Sequence, residues 1–546
     1  MDRRNATISL CMIVKDESSC LRDCLEAAGP YVDEMIVVDT GSSDDTMAIA
    51  ESCGATVLSM AWPGSFARAR NVSLEAATCD WILVLDADEV LRPGDEEELA
   101  RVVDDPRHLG AFVRLSNHGD DGAYLSCLIM RLFRNDPSFR FRLAIHEQVV
   151  ESILAKAEQV GGLIVDGVLH IDHYGYRESV RVAKNKDERD RRHFEDALRE
   201  EPNNAYLWFK YGDYLRRFDH SAVVIDALDR SCALIRDYPD KRRRREPYCA
   251  ESFSLLALEL VRANRHAEAG ELLDYARQHC HPTPMMWWVS GHHALCIKDH
   301  DAALEYFDAC AALDGQCLHV PAQPGITNER SHFGRARALL GLGQRETAIR
   351  MFKEGADRWP NCEDLVLAAT RVAMLERRFP EAIRRLTAAL DKDPENANYW
   401  QVGTELFLEL GRSKDAEVWI VRAQAQQTSL SAAAVAATYG EVELAAGDLE
   451  GALDRWSRDP RHPNAKAGLI LLHAVFGEPL PPALETIDAE IEVALAGVLR
   501  RHAQSPRPER LRLPLSENLA AGRALDPRIH RVISANLDPP RLTTPV

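Results

Sequence analysis

A fixed spacing of small and large apolar residues in the second half of the chain limits its possible folds most. At six places an alanine is followed four residues later by a large apolar residue, and the steps between these alanines are 34, 45, 34, 34 and 36 residues. Residues four apart share one face of a helix, and a period of this length is typical of stacked helix pairs. We therefore predict an all-α solenoid. The six pairs are Ala269/Leu273, Ala303/Phe307, Ala348/Phe352, Ala382/Leu386, Ala416/Ile420 and Ala452/Trp456.

Other residue types keep a constant distance from these alanines. Tryptophans stand 16 residues before an alanine, glycines 12 residues before one, and prolines 12 residues after one. This 34-residue helix-turn-helix unit resembles the tetratricopeptide repeat over about residues 203–458. The resemblance implies a concave surface that suits extended ligands. The residues concerned are Trp287, Trp400, Gly291, Gly440, Pro360 and Pro394.

Three segments depart from the repeat pattern. GQCLHVPAQPG at 315–325 lies in the 45-residue step and predicts a surface loop, which is either part of a binding surface or an inert insertion. KRRRR at 241–245 predicts a solvated loop between helices, with docking of an anionic partner as the alternative. From about residue 500 the period is lost, and Pro- and Arg-rich sequence predicts a capping helix with an irregular tail.

In the first half of the chain, short apolar runs alternate with amphipathic segments. Strands that are continuously apolar and alternate with helices indicate a mostly parallel sheet covered on both faces. Ligands of such sheets bind beyond the carboxyl ends of the strands. The runs are ISLCMIV (8–14), EMIVVDT (34–40), ATVLSM (55–60) and WILVLDA (81–87), with helix-like segments near 18–28, 44–53 and 65–78.

Carboxylates follow two of the predicted strands. Asp39 ends the second run, and Asp86 and Asp88 follow the fourth. Because parallel strands end at the same edge of a sheet, we expect these side chains to open on one crevice. Mg²⁺ or Mn²⁺ is usually bound by one or two protein carboxylates, with substrate phosphate oxygens and water at the other positions. Asp86 and Asp88 suit such a site, and the alternative is that one of them only caps the following helix.

Four motifs occur in a fixed order over residues 7–176: ISLCMIVKDE, DEMIVVDTGSSDDT, FARARNVSLEAATCDWILVLDADEVL and IHEQ. Together they resemble the family-2 glycosyltransferases of the GT-A fold, and more closely the bacterial subgroup in which that domain is fused to tetratricopeptide repeats. The resemblance implies an α/β GT-A domain with a mostly parallel sheet, followed by the all-α solenoid. The expected divisions are the glycosyltransferase domain at 1–176, a connecting helix at 177–202, the repeats at 203–458, and a helical cap with a tail at 459–546.

The resemblance also assigns residues to a nucleotide-sugar donor, which we expect to be UDP-linked. It implies that Asp39 contacts the base, and that Asp86 and Asp88 hold the ribose and the diphosphate-bound Mg²⁺ or Mn²⁺. An aspartate accepts a hydrogen bond from the imide N–H of uracil, and an arginine offers a planar fork to phosphate oxygens. The simpler alternatives are a turn residue for Asp39 and a surface cation for Arg70. Val14, Lys15 and Glu17 are expected to line the nucleotide pocket, and Arg70 and Asn71 to lie near the donor phosphates.

Glu147 and His146 are the candidates for the acceptor side. An inverting transfer needs a base that removes the acceptor's proton, and we assign that role to Glu147, with His146 orienting the acceptor or the base. The alternative is a loop glutamate that forms a salt bridge with an arginine. The arginines considered for that pairing are Arg131, Arg134, Arg140 and Arg142.

His173 is the candidate for a third metal ligand, because GT-A enzymes often complete the metal site with a histidine near the end of the domain. The alternative is that HIDHYGY forms a domain-closing aromatic turn, in which Tyr174 and Tyr176 pack on the first repeat helix.

The leading hypothesis is a metal-dependent, inverting glycosyltransferase. The acceptor is a peptide or protein, or a lipid-linked or lipopolysaccharide-type saccharide, and the repeats are a candidate surface for it because residues 1–176 leave little chain to build an acceptor pocket. The rival is a non-catalytic, peptide-binding scaffold with a degenerate sugar-nucleotide domain. A nucleotidyltransferase is disfavoured, because VKDESSCLRD lacks the glycine- and lysine-rich phosphate loop expected after the first strand.

Composition restricts partners and compartment. With 85 acidic and 66 basic side chains the formal charge is −19, which disfavours general nucleic-acid binding. The 13 cysteines include no CxxC pair, which predicts a reducing cytoplasm. We expect neither a cleavable secretion signal nor a membrane-spanning helix.

Overall fold

The chain forms two compact units, residues 1–344 and 345–546. The division falls inside the region of predicted repeats. The computed structural model describes residues 4–94, 96–118, 124–174, 186–218, 222–316, 319–320, 323–426, 431–484, 487–502, 509–520 and 526–537.

The first unit begins with a mixed sheet of eight strands in the described residues, in the order β3-β2-β1-β4-β7-β6-β8-β5. Strands β3, β2, β1 and β4 are parallel, β7 is antiparallel to both β4 and β6, and β8 is parallel to β6 and antiparallel to β5. The predicted α/β class with a mostly parallel sheet is confirmed. The strands are β1 (Ile8–Val14), β2 (Glu34–Asp39), β3 (Thr56–Ser59), β4 (Trp81–Val84), β5 (Glu89–Leu91), β6 (His108–His118), β7 (Tyr124–Arg134) and β8 (Leu163–His173).

Helices cover both faces of this sheet, as the continuous apolar strands predict. One apolar core contains residues of α1 and α4, and the other contains residues of α3 and α5. Strand β4 ends at Val84, before the predicted residue 87, so Asp86 and Asp88 lie in the turn between β4 and β5. The helices are α1 (Leu21–Ala28), α2 (Thr46–Ser52), α3 (Phe66–Ala76), α4 (Glu96–Val103) and α5 (Val150–Val160).

Nine further helices of the first unit follow the sheet in the described residues. The predicted connecting segment, 177–202, contains α6, whereas residues 175–185, including Tyr176, lie outside the described residues. The helices are α6 (Lys186–Glu200), α7 (Ala205–Leu215), α8 (Ala222–Arg236), α9 (Asp240–Arg245), α10 (Tyr248–Arg262), α11 (His266–His279), α12 (Pro284–Cys296), α13 (His300–Ala311) and α14 (Glu329–Gly341).

In the described residues of the second unit, all regular secondary structure is helical. Two of its helices, α24 and α25, lie after residue 500, where a capping helix with an irregular tail is predicted, and Ile529 and Ile533 of α25 are buried, so residues 527–537 are packed helix and not irregular tail. The helices are α15 (Arg345–Arg358), α16 (Glu363–Leu375), α17 (Phe379–Leu390), α18 (Ala397–Glu409), α19 (Ser413–Ala425), α20 (Ala432–Ala446), α21 (Leu449–Arg458), α22 (Pro463–Phe476), α23 (Ala489–His502), α24 (Glu509–Ala520) and α25 (Pro527–Leu537).

The predicted repeat pattern matches the helices. Its six alanines lie on α11, α13, α15, α17, α19 and α21, and each alanine is fully buried, with its apolar partner four residues later also buried. Small residues at these positions allow neighbouring helices to approach closely.

The basic segment at 241–245 forms α9, so the predicted solvated loop is wrong. Arg243 is buried, Lys241 pairs with Glu158, and Arg242 lies 3.2 Å from Glu151. Two of these cations thus bind acidic side chains of α5 and not an external anion.

The inserted segment 315–325 reaches the sheet. The His319 ring lies edge-on to Phe112 of β6, with 4.5 Å between centroids, and 3.4 Å from the carboxylate of Asp166 in β8. Residues 317–318 and 321–322 lie outside the described residues.

No helix in the described part of the chain combines the length and the apolar character that crossing a bilayer requires.

We expect Gly440→Ala to destabilise the second unit by about 1–3 kcal/mol, because a Cβ there would overlap the indole of Trp456. Urea unfolding measures this loss. In a Trp456→Phe background the smaller ring relieves the overlap, so the substitution should cost less. An equal cost in both backgrounds would show that Gly440 is not required for this contact.

Candidate active site at the sheet edge

The loops after β1 and β2 are joined by hydrogen bonds. The buried carboxylate of Asp39, 3% exposed as a residue, accepts hydrogen bonds from the backbone N–H groups of Gly41 at 3.0 Å and Ser42 at 3.1 Å. The carboxylate of Asp16 accepts one from Ser43 N–H at 2.7 Å. Asp39 therefore holds its own turn at the end of β2, as the simpler alternative predicts, and its contact with a base stays a prediction.

The residues predicted to line the nucleotide pocket lie next to this turn. Val14 ends β1 and pairs in register with Asp39, and Lys15 and Glu17 follow in the loop. Burial, with the nearby carboxylates of Glu17 and Asp88, raises the pKa of Cys20 to about 12. Glu17 and Asp88 thus both lie near one thiol, so the β1 loop and the turn after β4 meet.

Five side chains of alternating charge form a continuous network at this edge. Arg70 Nη2 lies 2.5 Å from Asp86 Oδ1, and Arg70 Nε lies 2.6 Å from Glu147 Oε1. Arg131 Nη2 lies 2.8 Å from Asp86 Oδ2 and 2.5 Å from Glu89 Oε1. Asp86 is at the centre, with one arginine on each oxygen.

Burial makes this network electrostatically strong. Burial itself favours the neutral form of Asp86, but the guanidinium groups of Arg70 and Arg131 outweigh it and hold the pKa of Asp86 well below its usual value. Burial raises the pKa of Glu89, whose side chain is 1% exposed, although Arg131 acts against that rise. The Asp86 side chain is still 34% exposed, so a ligand at the crevice can reach it.

Glu89 and Arg131 together fix Asp86. Glu89 Oε2 accepts a hydrogen bond from the backbone N–H of Asp86 at 2.9 Å, and Arg131 binds its carboxylate. We did not assign either residue to the site from the sequence. Two features of the sequence could have identified them. Glu89 is the fourth residue of DADE, and Arg131 is a single arginine inside the apolar strand segment CLIMRLF.

Asp88 and His173 face each other across the edge. Asp88 Oδ1 lies 3.5 Å from His173 Nε2, and His173 Nδ1 lies 2.6 Å from Asn117 Oδ1. Burial lowers the basicity of His173, but Asp88, Glu89 and Asp86 outweigh it and raise its pKa. The bond to Asn117 places a proton on Nδ1 and leaves Nε2 to face Asp88.

Glu147 lies in a short loop with strained backbone. Leu143 and His146 have φ values of +73° and +53°, and the backbone of Arg142 pairs with that of Gln148. The Glu147 side chain is 14% exposed and pairs with Arg70. The salt bridge considered as the alternative thus exists, but with Arg70 and not with one of the four arginines named for it.

His146 and Asn71 make contacts other than those expected. The His146 ring lies 5.2 Å from the ring of Phe194, and although the residue keeps an exposed surface, its packing there and the nearby Lys210 and Arg217 lower its pKa. Asn71 Nδ2 donates to Phe141 O at 3.0 Å, and Asn71 Oδ1 accepts from Phe141 N–H at 2.9 Å. Asn71 therefore fixes the backbone just before the loop that carries Glu147.

The Asp88–His173 pair is compatible with a divalent metal that arrives together with a diphosphate. The described residues contain no group of three or more ligand side chains able to hold a metal ion. The 3.5 Å between Asp88 and His173 is close to the roughly 3 Å that separates neighbouring ligands of octahedral Mg²⁺. Two protein ligands are enough when substrate phosphates and water supply the others.

Comparison with known proteins matches two regions of the chain. Residues 9–155 match the glycosyl transferase family 2 profile, and residues 339–406 match a tetratricopeptide repeat profile.

Individual relatives cover only parts of the chain. A TPR repeat-containing protein of Synechococcus elongatus is 42% identical over 212 residues, 38% of this chain and 52% of the relative. The SPbeta prophage-derived glycosyltransferase SunS of Bacillus subtilis is 27% identical over 271 residues, 49% of this chain and 62% of the relative. The chain thus spans less than two thirds of the length of these relatives.

Among solved structures, glucosyl-3-phosphoglycerate synthase of Mycobacterium tuberculosis, in complex with Mn²⁺, UDP and phosphoglyceric acid, matches with a TM-score of 0.25 at 18% identity, over 31% of this chain and 71% of that chain.

We expect Arg131→Met to destabilise the first unit by about 3–5 kcal/mol, because it leaves the buried Glu89 carboxylate without its cation. Urea unfolding of the full chain measures the loss. Adding Glu89→Gln removes the unpaired charge, so the double variant should regain part of the stability. If the double variant is no more stable than Arg131→Met, the buried charge is not the cause.

Proposed function

Because its N-terminal domain belongs to glycosyl transferase family 2 and is followed by tetratricopeptide repeats, we propose that this protein transfers a sugar from a nucleotide sugar to an acceptor. The observation that carries the proposal is the network in which Arg70 joins Asp86, on the donor side, to Glu147, on the acceptor side. The network lies at the carboxyl ends of parallel strands, where ligands of such sheets bind.

The donor is a UDP-sugar in this proposal. Asp39, at the end of β2, accepts the imide N–H of the base, and Val14, Lys15 and Glu17 line the pocket beside it. Asp86 keeps an exposed part of its carboxylate for the ribose. Arg70 retains a buried nitrogen, Nη1, whose N–H groups have no acceptor among the described residues and are available to a phosphate oxygen after a small movement.

A divalent cation, Mg²⁺ or Mn²⁺, is the cofactor in this proposal, with Asp88 and His173 as its protein ligands and Asp86 beside them. When bound, it would neutralise the charge that develops on the nucleoside diphosphate as the sugar leaves. Asn117 orients the His173 ring, as hydrogen-bonded partners of metal-binding histidines commonly do.

Glu147 is the general base in this proposal. It takes the acceptor's proton while the acceptor attacks the anomeric carbon from the face opposite to the diphosphate, so the transfer inverts the configuration. Arg70 contacts Asp86 and Glu147 at the same time and therefore fixes the separation of donor and base. The acceptor is a peptide or protein, or a lipid-linked saccharide, with the repeats as a candidate surface for it.

We expect Asp88→Asn to abolish the Mn²⁺-dependent part of the stabilisation that UDP gives to the protein. Binding to the folded state raises the melting temperature, so thermal unfolding with UDP, with and without Mn²⁺, measures both contributions. Asp136→Asn is a matched control. Asp136 follows β7, which is antiparallel to β4, so it lies at the opposite end of the strands from Asp88. A wild-type protein that responds to no nucleotide sugar, with or without metal, would favour the non-catalytic scaffold.

We expect Glu147→Gln to keep donor affinity and to lower the turnover number for transfer by at least about a hundredfold, a typical loss for a general base. The measurement compares UDP affinity with UDP release from a UDP-sugar in the presence of acceptor. Loss of UDP binding in this variant would place Glu147 in the donor pocket. Unchanged turnover would remove it from catalysis.

A further inference from the structure

The loop that presents Glu147 is a closed segment of seven residues, 142–148, here called the Glu147 loop. The backbone N–H of Arg142 donates to Gln148 O, and the N–H of Gln148 donates to Arg142 O, both at 3.0 Å. This pair of bonds fixes the ends of the loop, but it does not fix the five residues between them.

One side of the Glu147 loop is attached to the sheet through α3. The backbone N–H of Phe66, the first residue of α3, donates to Ala144 O at 2.9 Å. One turn further along the same helix, Arg70 pairs with Glu147. The position of the carboxylate relative to the donor-side residues is therefore set by α3.

The other side of the loop is attached to α6 and α7, the first two helices that the structure describes after the sheet. Ile145 is 6% exposed and belongs to the apolar core of the helical region, against which Leu143 also packs. The His146 ring lies against Phe194 of α6, and Gln148 Nε2 donates to the hydroxyl of Tyr206 of α7 at 3.1 Å.

The backbone of this loop needs such support. Leu143 and His146 are not glycines, yet both have left-handed φ values. Each such residue costs of order 1 kcal/mol or more and persists only where surrounding contacts impose the conformation. Leu143 packs against the apolar core of the helical region and the His146 ring lies against Phe194 of α6, so the helical region supplies contacts to both residues.

Tyr206 is also electrostatically close to Glu147. Burial raises the pKa of the Tyr206 hydroxyl, and the negative charge of Glu147 adds to that rise, while Lys210 acts against it. The same hydroxyl that accepts from Gln148 thus feels the charge of the Glu147 carboxylate.

From these contacts we propose that Phe194 and Tyr206 are positioning residues for Glu147, and that α6 and α7 complete the catalytic site from outside the sheet domain. This inference rests on the proposed function for its catalytic part. Its structural part, the dependence of the Glu147 loop on the two helices, stands independently. A displacement of about 1 Å at a reacting group can lower a rate by about a hundredfold.

The test uses two variants of the full chain and one matched control. Phe194→Leu removes the ring against His146, and Tyr206→Phe removes only the hydroxyl that binds Gln148. Phe253→Leu is the control, because Phe253 on α10 is fully buried in the same apolar core and packs on Tyr275. Hydrogen–deuterium exchange of the peptide covering 142–148 reports on the loop without any substrate.

We expect hydrogen exchange in the Glu147 loop to accelerate about tenfold in Phe194→Leu and measurably in Tyr206→Phe. In Phe253→Leu we expect no acceleration in this loop beyond that caused by the lower stability of the whole unit. The turnover number should fall by about ten- to a hundredfold in both variants, with UDP affinity in Mn²⁺ unchanged. Unaltered exchange in both variants, or equal acceleration in the control, overturns the inference.

Failure of the inference and failure of the proposed function are distinguishable. If Glu147→Gln loses transfer while Phe194→Leu and Tyr206→Phe keep the wild-type turnover number, the function stands and the positioning role falls. If Glu147→Gln keeps full transfer, the assigned base is wrong, and the exchange measurements alone decide whether the helices hold the loop.

Discussion

The arrangement of the candidate site depends on one guanidinium group, that of Arg70. It is buried, it approaches Asp86 with one nitrogen and Glu147 with another, and it brings together residues far apart in the sequence. The planar fork of arginine suits such two-sided pairing, because its donors have a fixed geometry. A lysine would supply the charge but not the spacing, so the distance between Asp86 and Glu147 would no longer be set.

A buried pair of arginines among three carboxylates is weak evidence of added stability. The desolvation of such groups offsets much of their attraction, so their retention needs a reason beyond stability. In this site the network orients Asp86 and Glu147 before any ligand arrives. Preorganised charge of this kind avoids reorganisation during the reaction.

The sequence predicted those features that depend on local pattern. The strand ends that carry Asp39, Asp86 and Asp88 follow from apolar runs, and the helix pairs follow from the spacing of buried alanines. The pairing of Arg70 with Glu147 depends on contacts between distant segments, which no local pattern contains. Helix α24 was not predicted for a different reason. Pro514 lies inside it, and proline disfavours a helix by local propensity alone.

The contact of His319 with Phe112 and Asp166 gives the helical region a further attachment to the sheet, remote in sequence from the Glu147 loop and from the pairing of α9 with α5. Domains joined at a single point usually rotate about it. With these separate attachments, the helices after the sheet are held to it at more than one place. Movement of these helices relative to the sheet would therefore require several of these contacts to break together.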